Sequence, residues 1–555
     1  MSASAATPSA SAAGPEIPPG QMWPIRWQIY LSLFMLGLGG LFGLLQALER
    51  LGWNLYPTLP FVGNYYQGLT VHWVALALVF TFAFSNGLLS LSVIRGLGRP
   101  LISTLLSQLT CVSIVLGVVL ASVAMLAGEA TVLFTFYPPL KAHPLFYLGL
   151  VLVVLSTWLI SLNQLLTLRA WKRDHPGERV PLMAFTAIVT YVMWDIASVG
   201  IAVEVVVLLL PWSLGLVATT DPQLSRTLFW FTGHPIVYFW LLPAYVSWYT
   251  MLPRQIGGRT FSDPLTRLVF LLFSIPVGVH HQFTESAIDP TMKAFQGVLT
   301  FAVFFPSMIT AFSVMASLEG AGRRRGGVGL LGWIQRLPWG DPSVTAQLLA
   351  MLVFMLGGVT GLINSSYTVN LVVHNTAFIP GHFHLTVGTA VALSLMGISY
   401  WLVPYLSGHA LWGRRLGLAQ AWLWALGVLI FSRGQISGGL AAMPRRTALG
   451  EAPYLSMMPA WDFDNLLTGV GGLLMVTSGI LFFLVVLGTL RGAAGAATTE
   501  MPYAQSEPSA PHGWPLLDRL GSWTAVTIAL IVISYGPVFV SLFPPNLTSP
   551  GFRLW

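Results

Sequence analysis

The sequence predicts an all-α integral membrane protein with about 13 transmembrane helices and a cytoplasmic N-terminus. Its 555 residues are 55% hydrophobic and only 8% charged, whereas soluble chains carry roughly a quarter charged residues. About 13 apolar segments reach the length of roughly 20 residues that a helix needs to cross a bilayer. Most of the 26 Lys and Arg residues fall on the side of the N-terminus, as the positive-inside rule expects.

The predicted spans follow one another along almost the whole chain. They cover residues 27–46, 67–94, 102–127, 145–168, 182–210, 227–251, 265–283, 295–318, 344–363, 374–404, 417–442, 464–490 and 521–543. Residues 1–24 are rich in Ala, Ser and Pro and lack a basic segment before an apolar one, which predicts a disordered tail rather than a signal peptide. Residues 25–555 are predicted to form a single multi-helix transmembrane domain.

Charge and cysteine content exclude several classes of protein. The net charge of +7 is typical of membrane orientation and does not indicate a nucleic-acid partner. The single cysteine, Cys111, lies in an apolar run, where it is predicted to be a packing residue. One cysteine excludes an internal disulfide, an iron–sulfur cluster and a thiolate copper centre within this chain.

Histidines within otherwise apolar segments are the main indication of a functional site. Ionisable groups are costly at membrane depth and mark sites there, and imidazole is the commonest metal ligand. The candidates are His72, His234, His280, His281, His382 and His384. With the predicted orientation, all of them fall in the outer half of the membrane. Scattered core histidines would not be expected to converge on one depth.

The spacing within two histidine pairs restricts what each pair can bind. His382 and His384 are two residues apart, so a helix places them on nearly opposite faces. They suit two cofactors better than one metal, although a pair of hydrogen-bonded helix-interface histidines is an equally good explanation of this pair alone. His280 and His281 are adjacent and can reach one ion if the local helix is irregular.

Two further histidines have weaker patterns of their own. His234 and Tyr238 are four residues apart and share a helix face, and Pro235 frees a backbone carbonyl beside them. For that motif alone, an ordinary aromatic contact is the better explanation. His72 is the only histidine of its predicted span. It is a ligand candidate because a cofactor bound on one face of the helix that carries His382 and His384 would need a second ligand.

Taken together, these motifs resemble subunit I of the haem–copper oxidases. The sequences WFTGHPIVYFWLLPAY, VGVHHQF, HNTAFIPGHFHL and AGEATVLFTFYPPLK are similar to the B-type branch, which includes the ba-type oxidases. The resemblance extends from about residue 25 to the C-terminus. HPxxY, HH and HFH in this order are much more specific than any one of them alone.

The resemblance implies two haems bound in the outer half of the membrane. His72 and His384 would be the axial ligands of a low-spin haem, of b type. His382 would be the single protein ligand of a high-spin haem, of a or o type, leaving its other face open to O₂. Arg445 and Arg446, which follow the eleventh predicted span on the outer side, would pair with haem propionates.

The resemblance also implies one copper ion opposite the high-spin haem. His234, His280 and His281 would bind it. Tyr238 would be covalently linked to His234 and would donate an electron and a proton when the O–O bond breaks. Ile236 stands where the A-type branch has a glutamate, so a separate glutamate-ended proton channel is not expected.

A proton pathway from the inner side is expected to resemble the K-type pathway of the B-type branch. Tyr245 and Tyr249 continue at helical spacing inward from the tyrosine of the HPxxY motif. Ser307, Thr310 and Ser313 form a hydroxyl stripe on the eighth predicted span. Hydroxyl groups on membrane helices also serve in interhelical packing, and that alternative remains open from sequence.

Two polar residues are expected near the haem propionates. His374 lies close to the site at the outer end of its helix. Asn370 stands where the B-type pattern has an aspartate. Because an amide cannot take up a carboxylate proton, Asn370 is not expected to store protons.

The implied function is that of a terminal respiratory oxidase in the bacterial or archaeal plasma membrane. It reduces O₂ to water and couples this reaction to proton translocation. Cytochrome c is the expected donor, acting through a separate subunit II that carries a dinuclear copper centre. Quinol is the alternative donor, because it needs no such copper. Further partners would be membrane lipid and O₂.

Two other classes explain the sequence less well. A nitric oxide reductase of the same superfamily would use iron in place of copper, with glutamates near the site and no cross-linking tyrosine. Tyr238 and Ile236 argue against it. A transporter with buried histidines would show no haem absorbance.

Substituting the two histidines of the HFH motif one at a time tests their assignment to opposite faces. His382→Ala should abolish the high-spin haem signal and leave the low-spin spectrum largely intact, and His384→Ala should do the reverse. Optical spectra of the purified variants measure both signals. Loss of the same haem in both variants would contradict the opposite-face argument.

Overall fold

The apolar segments fold as helices, because a backbone that crosses lipid must satisfy its own hydrogen bonds. The computed structural model describes residues 15–275, 280–449, 454–492, 500–508, 515–543 and 548–553. In chain order the main helices are α1 (Pro19–Arg50), α2 (Tyr65–Leu97), α3 (Thr104–Leu126), α4 (Pro144–Asp174), α5 (Leu182–Ser213), α6 (Pro222–Gly233), α7 (Pro235–Thr250), α8 (Asp263–Ser274), α9 (Pro290–Arg324), α10 (Pro342–Ser365), α11 (Tyr367–Val373), α12 (Phe378–Ser407), α13 (Arg414–Leu440), α14 (Tyr454–Leu490) and α15 (Leu520–Ser541).

Eleven of the described helices are long and apolar enough to cross a membrane. They coincide with eleven of the predicted spans, so the all-α membrane class is confirmed. The remaining two predicted spans, residues 227–251 and 265–283, fold differently. The orientation of the N-terminus stays a prediction.

The sixth predicted span is not one continuous helix. It divides into α6 and α7, which meet at His234. Pro235 is the first residue of α7, a position where a missing backbone N–H costs nothing. The same missing N–H prevents α6 from continuing. The break places the imidazole of His234 at a helix junction.

The seventh predicted span is shorter than expected. Helix α8 ends at Ser274 after 12 residues, and residues 276–279 lie outside the described part of the chain. His280–Gln282 then forms a short 3₁₀ turn. The adjacent histidines therefore lie on a turn and not on a regular helix. This agrees with the irregular backbone expected at this pair.

Two predicted boundaries also differ. Helix α12 begins at Phe378, later than the predicted start at residue 374, because a separate short helix, α11, precedes it. The HFH motif therefore lies in the first two turns of α12. At the other end of the chain, α1 begins at Pro19, inside the segment predicted as a tail, and residues 1–14 are outside the described part.

Small residues allow the helices beside the histidines to pack closely. A Cβ atom on Gly434 of α13 would collide with the Asp464 carbonyl oxygen of α14. On α14, a Cβ on Gly471 would collide with the backbone nitrogen of Phe431. Close backbone approach of this kind is typical of membrane helix pairs. The main hydrophobic core runs from Ile25 to Tyr535.

Candidate redox metal centre

His234 lies between Tyr238 and His281, with one ring nitrogen directed at each. Its Nδ1 is 3.1 Å from His281 Nε2, and its Nε2 is 2.5 Å from the Tyr238 hydroxyl. Imidazole–metal bonds of about 2.0–2.1 Å at angles of about 90–110° place two ligand nitrogens about 2.9–3.4 Å apart. The spacing of His234 and His281 therefore fits two ligands of one ion, and imidazole donors suit copper.

The third candidate ligand of that ion cannot be placed. The backbone of His280 belongs to the 3₁₀ turn, but its side chain lies outside the described part. Among the described side chains, no group of three or more His, Cys, Asp or Glu is placed to hold a metal. The role of His280 stays a prediction.

His382 is oriented by oxygen atoms of α10. Its Nδ1 lies 2.8 Å from Thr360 Oγ1. The Thr360 hydroxyl donates to the Gly357 carbonyl oxygen at 2.8 Å, so its oxygen accepts a hydrogen bond from His382 Nδ1. Nδ1 of His382 therefore carries the hydrogen, and Nε2 keeps the lone pair that an iron ligand needs.

His72 and His384 are held in the same way by backbone carbonyl oxygens. His72 Nδ1 is 2.8 Å from the carbonyl oxygen of Gly39 in α1. His384 Nδ1 is 2.8 Å from that of Pro380 in its own helix. A carbonyl oxygen can only accept, so both Nδ1 atoms carry hydrogen and both Nε2 atoms are free to bind metal. This donor set fits two axial haem ligands.

The two histidines of the HFH motif contact different neighbours. His382 contacts Thr360 of α10, whereas the ring of His384 lies 4.1 Å from that of Phe431 in α13. Between them, the ring of Phe383 packs edge-on against that of Trp73, the residue after His72, with ring centroids 5.5 Å apart. Helices α2 and α12 thus meet at their histidine-bearing turns.

Irregular backbone follows both of these turns. Residues Val74–Phe80 of α2 and Thr386–Val391 of α12 are π-helical. Segments of this type are frequent at functional sites, because the extra residue per turn changes the direction of neighbouring side chains. The position of each π-helical segment, just after His72 and His384, supports their joint role.

Arg445 and Arg446 lie together between α13 and α14, half-buried. Arg445 donates to the Asn375 side-chain oxygen at 3.3 Å, and Arg446 to Thr135 Oγ1 at 3.2 Å. No carboxylate of the described residues pairs with either guanidinium. Burial and the neighbouring Arg446 lower the pKa of Arg445. Two adjacent cations without an anionic partner fit carboxylates such as haem propionates.

His374 and Asn370 form a hydrogen-bonded pair close to these arginines. The Asn370 amide donates to the carbonyl and side-chain oxygens of Asn364, both at 2.8 Å. Its own oxygen is 3.2 Å from His374 Nδ1. Burial, followed by the charges of the nearby arginines, lowers the pKa of His374 to about 3. The imidazole is therefore neutral at physiological pH in the protein alone.

The predicted hydroxyl stripe faces the two tyrosines inward of the site. Tyr245 faces Ser307 and Thr310, and Tyr249 faces Thr310 and Ser313. The hydroxyls of Ser307 and Thr310 donate to carbonyl oxygens four residues earlier, at 3.0 and 2.8 Å. Within the described part of the chain, the hydroxyls of both tyrosines and of Ser313 make no direct hydrogen bond.

Two buried polar groups near the centre, Thr360 and Glu204, were not predicted from the sequence. Thr360, the partner of His382, has no motif that distinguishes it from other threonines on membrane helices. Glu204 of α5 is fully buried and accepts a hydrogen bond of 2.6 Å from Ser225 of α6. The sequence does indicate Glu204, since a single acidic residue in an apolar span is by itself a candidate for a functional site.

The fold and the histidine arrangement define a multi-span redox membrane protein, and comparison with known proteins gives its family. The family model described as cytochrome c and quinol oxidase polypeptide I matches residues 24–474. The chain belongs to this family, and the resemblance to subunit I of the haem–copper oxidases is confirmed. Membership implies haem and copper cofactors.

Individual relatives agree over nearly the full length. Cytochrome c oxidase subunit 1 of Thermus thermophilus is 46% identical over 544 residues, which is 95% of this chain and 96% of the relative. Quinol oxidase subunit 1 of Bacillus subtilis is 25% identical over 474 residues, 80% of this chain and 68% of that protein. A haem–copper terminal oxidase dimer solved by cryo-electron microscopy superposes with a TM-score of 0.91 at 37% identity, covering 97% of this chain and 96% of its own.

If His382 binds the high-spin haem, replacing Thr360 by Val should alter the electronic properties of that haem. Loss of one acceptor weakens the hydrogen bond at Nδ1 and makes the imidazole a poorer electron donor. The midpoint potential of the high-spin haem should rise by at most about 60 mV, since a net hydrogen bond contributes about 0.5–1.5 kcal/mol. A spectroelectrochemical titration measures it.

Thr477→Val is the matched control, because Thr477 hydrogen-bonds only its own helix backbone. An unchanged potential and an unchanged iron–histidine stretching frequency in Thr360→Val would contradict the assignment.

Proposed function

We propose that the chain is the catalytic subunit of a cytochrome c oxidase that reduces O₂ to water and couples this reaction to proton translocation. The observation that carries the proposal is the position of His234, with Tyr238 at one ring nitrogen and His281 at the other. That arrangement matches a copper ligand with an adjacent tyrosine. The 46% identity to a cytochrome c oxidase subunit over nearly the whole chain supports the same function.

The cofactors are proposed to be a low-spin haem of b type, a high-spin haem of a or o type and one copper ion. His72 and His384 hold the low-spin haem, and His382 holds the high-spin haem. The copper ligands are His234, His280 and His281. When bound, these groups supply the electron transfer and the reduction of O₂.

The residues of the chain supply orientation and protons. The oxygen atoms of Gly39, Pro380 and Thr360 engage Nδ1 of three imidazole rings, so each Nε2 would be free to hold a haem iron. Tyr238 is buried and can deliver a proton at its hydroxyl, which lies against His234 Nε2. Arg445 and Arg446 would neutralise the charges of the propionates, so these carboxylates could stay ionised within the membrane.

Electrons are proposed to come from cytochrome c through a subunit II with a dinuclear copper centre. The single cysteine of this chain cannot build such a centre, so it must lie on another subunit. The complex would reside in the bacterial or archaeal plasma membrane, with the histidine centre near the outer side. Oxidation of a quinol in place of cytochrome c would remove the need for that copper.

A purified complex tests the proposal directly. The reduced-minus-oxidised spectrum should show two haem signals, and metal analysis should find copper in addition to haem iron. O₂ consumption should follow addition of reduced cytochrome c. Consumption with quinol alone would replace the donor, and non-haem iron without copper would contradict the oxidase assignment.

Protons are proposed to reach the centre along Tyr249, Tyr245 and the hydroxyl stripe of α9. Each tyrosine faces two α9 hydroxyls, and water can bridge polar groups that lie beyond direct hydrogen-bonding distance. Thr310 faces both tyrosines, so it is the position where the two steps of the path meet.

Thr310→Val should therefore slow proton uptake while leaving the haems in place. A positioned proton-transfer group contributes on the order of 10²-fold or more, so turnover should fall by about that factor. Stopped-flow measurement with a pH dye separates proton uptake from haem reduction. Thr300→Val, on the same span and hydrogen-bonded to its own helix, is the control. Normal proton uptake in Thr310→Val would rule out this path.

A further inference from the structure

One face of α6 holds the turn that carries the adjacent histidines. At 100° per residue, positions 226, 227, 230 and 234 fall within about 100° of arc, on one side of the helix. Each of them contacts a residue of the segment His281–Glu285. The contacts differ in chemistry and form a continuous row from the protein surface to the metal ligands.

The outermost contact of the row is an ion pair. Arg226 Nη2 lies 2.5 Å from Glu285 Oε1. The Glu285 side chain is only 7% exposed, whereas that of Arg226 is 37% exposed. The guanidinium group also lies 5.1 Å above the ring of Tyr137, which limits its freedom. Removing one partner of such a pair leaves a largely buried charge without compensation.

The next contact is a buried hydrogen bond. Gln282 Nε2 donates to Thr227 Oγ1 at 3.2 Å, and Gln282 is fully buried. The Thr227 hydroxyl donates a hydrogen bond to the Gln223 carbonyl oxygen at 2.9 Å. Its oxygen can therefore accept the hydrogen bond from Gln282. This bond fixes the residue directly after His281.

The inner contacts involve the ligand itself. The ring of His281 stacks on Trp230 with centroids 4.0 Å apart and planes within 4°. Its Nε2 then faces His234 Nδ1. Helix α8 ends at Ser274, and within the described residues the turn is not part of a regular helix. Helix α9 also contacts the turn, and the row on α6 adds the ion pair, the hydrogen bond and the ring stacking.

We propose that Arg226 and Glu285 are positioning residues of the copper centre. Their ion pair holds the His280–Gln282 turn in register with α6 and so sets the separation of the His281 and His234 nitrogens. Neither residue touches the metal or the substrate. This inference rests on the proposed function, since it assumes that copper is the ion bound there.

A purely structural role for the ion pair makes a different prediction. It would lower the stability of the whole protein and affect haem and copper retention alike. A positioning role acts on copper alone. Loss of a residue that orients a ligand from outside the coordination shell lowers metal affinity by about 10–100-fold. The haem content of the same molecule serves as an internal reference for the loss of copper.

The experiment compares Glu285→Gln and Glu285→Arg with the charge-reversed double variant Arg226→Glu/Glu285→Arg in the purified complex. Copper retention is titrated with a copper(I) chelator, and haem content is measured in the same samples. The infrared stretch of carbon monoxide bound to reduced copper reports the ligand geometry. Arg433→Gln is the matched control, because the Arg433–Asp464 pair (4.0 Å) links α13 to α14 and makes no described contact with the copper residues.

Both single variants should lose copper at about 10–100-fold lower chelator concentration than the wild type, with unchanged haem content and a shifted or broadened carbon monoxide band. The double variant should recover retention and band position. The inference is overturned if the single variants retain copper like the wild type. It is also overturned if haem and copper fall together and the double variant restores neither. A wild-type complex without copper would instead refute the proposed function.

Discussion

Four histidines of the centre, His72, His234, His382 and His384, each depend on a neighbouring oxygen atom that engages one nitrogen of the ring. A neutral imidazole has one N–H and one lone pair, so anchoring the N–H at a carbonyl or hydroxyl oxygen decides which nitrogen can bind a metal. The anchors are Gly39, Pro380 and Thr360 for the three proposed haem ligands. At His234 the order is reversed, with Nε2 at a tyrosine hydroxyl and Nδ1 toward the second ligand.

The backbone also departs from regular helix where the centre lies. In lipid, irregular backbone is tolerated only where it is buried in protein or lines a polar cavity. The junction before Pro235, the turn at His280–Gln282 and the π-helical segments after His72 and His384 all occur at the site. The remaining helices form the frame that keeps these departures in place.

Much of the architecture followed from the chain itself. The apolar segments predicted the membrane class and eleven spans, because hydrophobic length is a local property. The i, i+2 spacing of His382 and His384 predicted their separation, and contacts with α10 and α13 agree with it. The break at His234 and the short α8 were not predicted. Both depend on whether neighbouring helices supply hydrogen bonds that a hydropathy pattern does not show.

The sequence by itself determined which residue types can bind metal and how they are spaced along each helix. Covalent order and helical periodicity are sufficient for those conclusions. Only the tertiary structure decided which nitrogen each ring presents and which residues align the turn of His281 with α6. Thr360, Arg226 and Glu285 gain their roles from atoms far away in the sequence. Hydrogen bonds and ion pairs act over a few ångströms, so their partners are set only once the helices have packed.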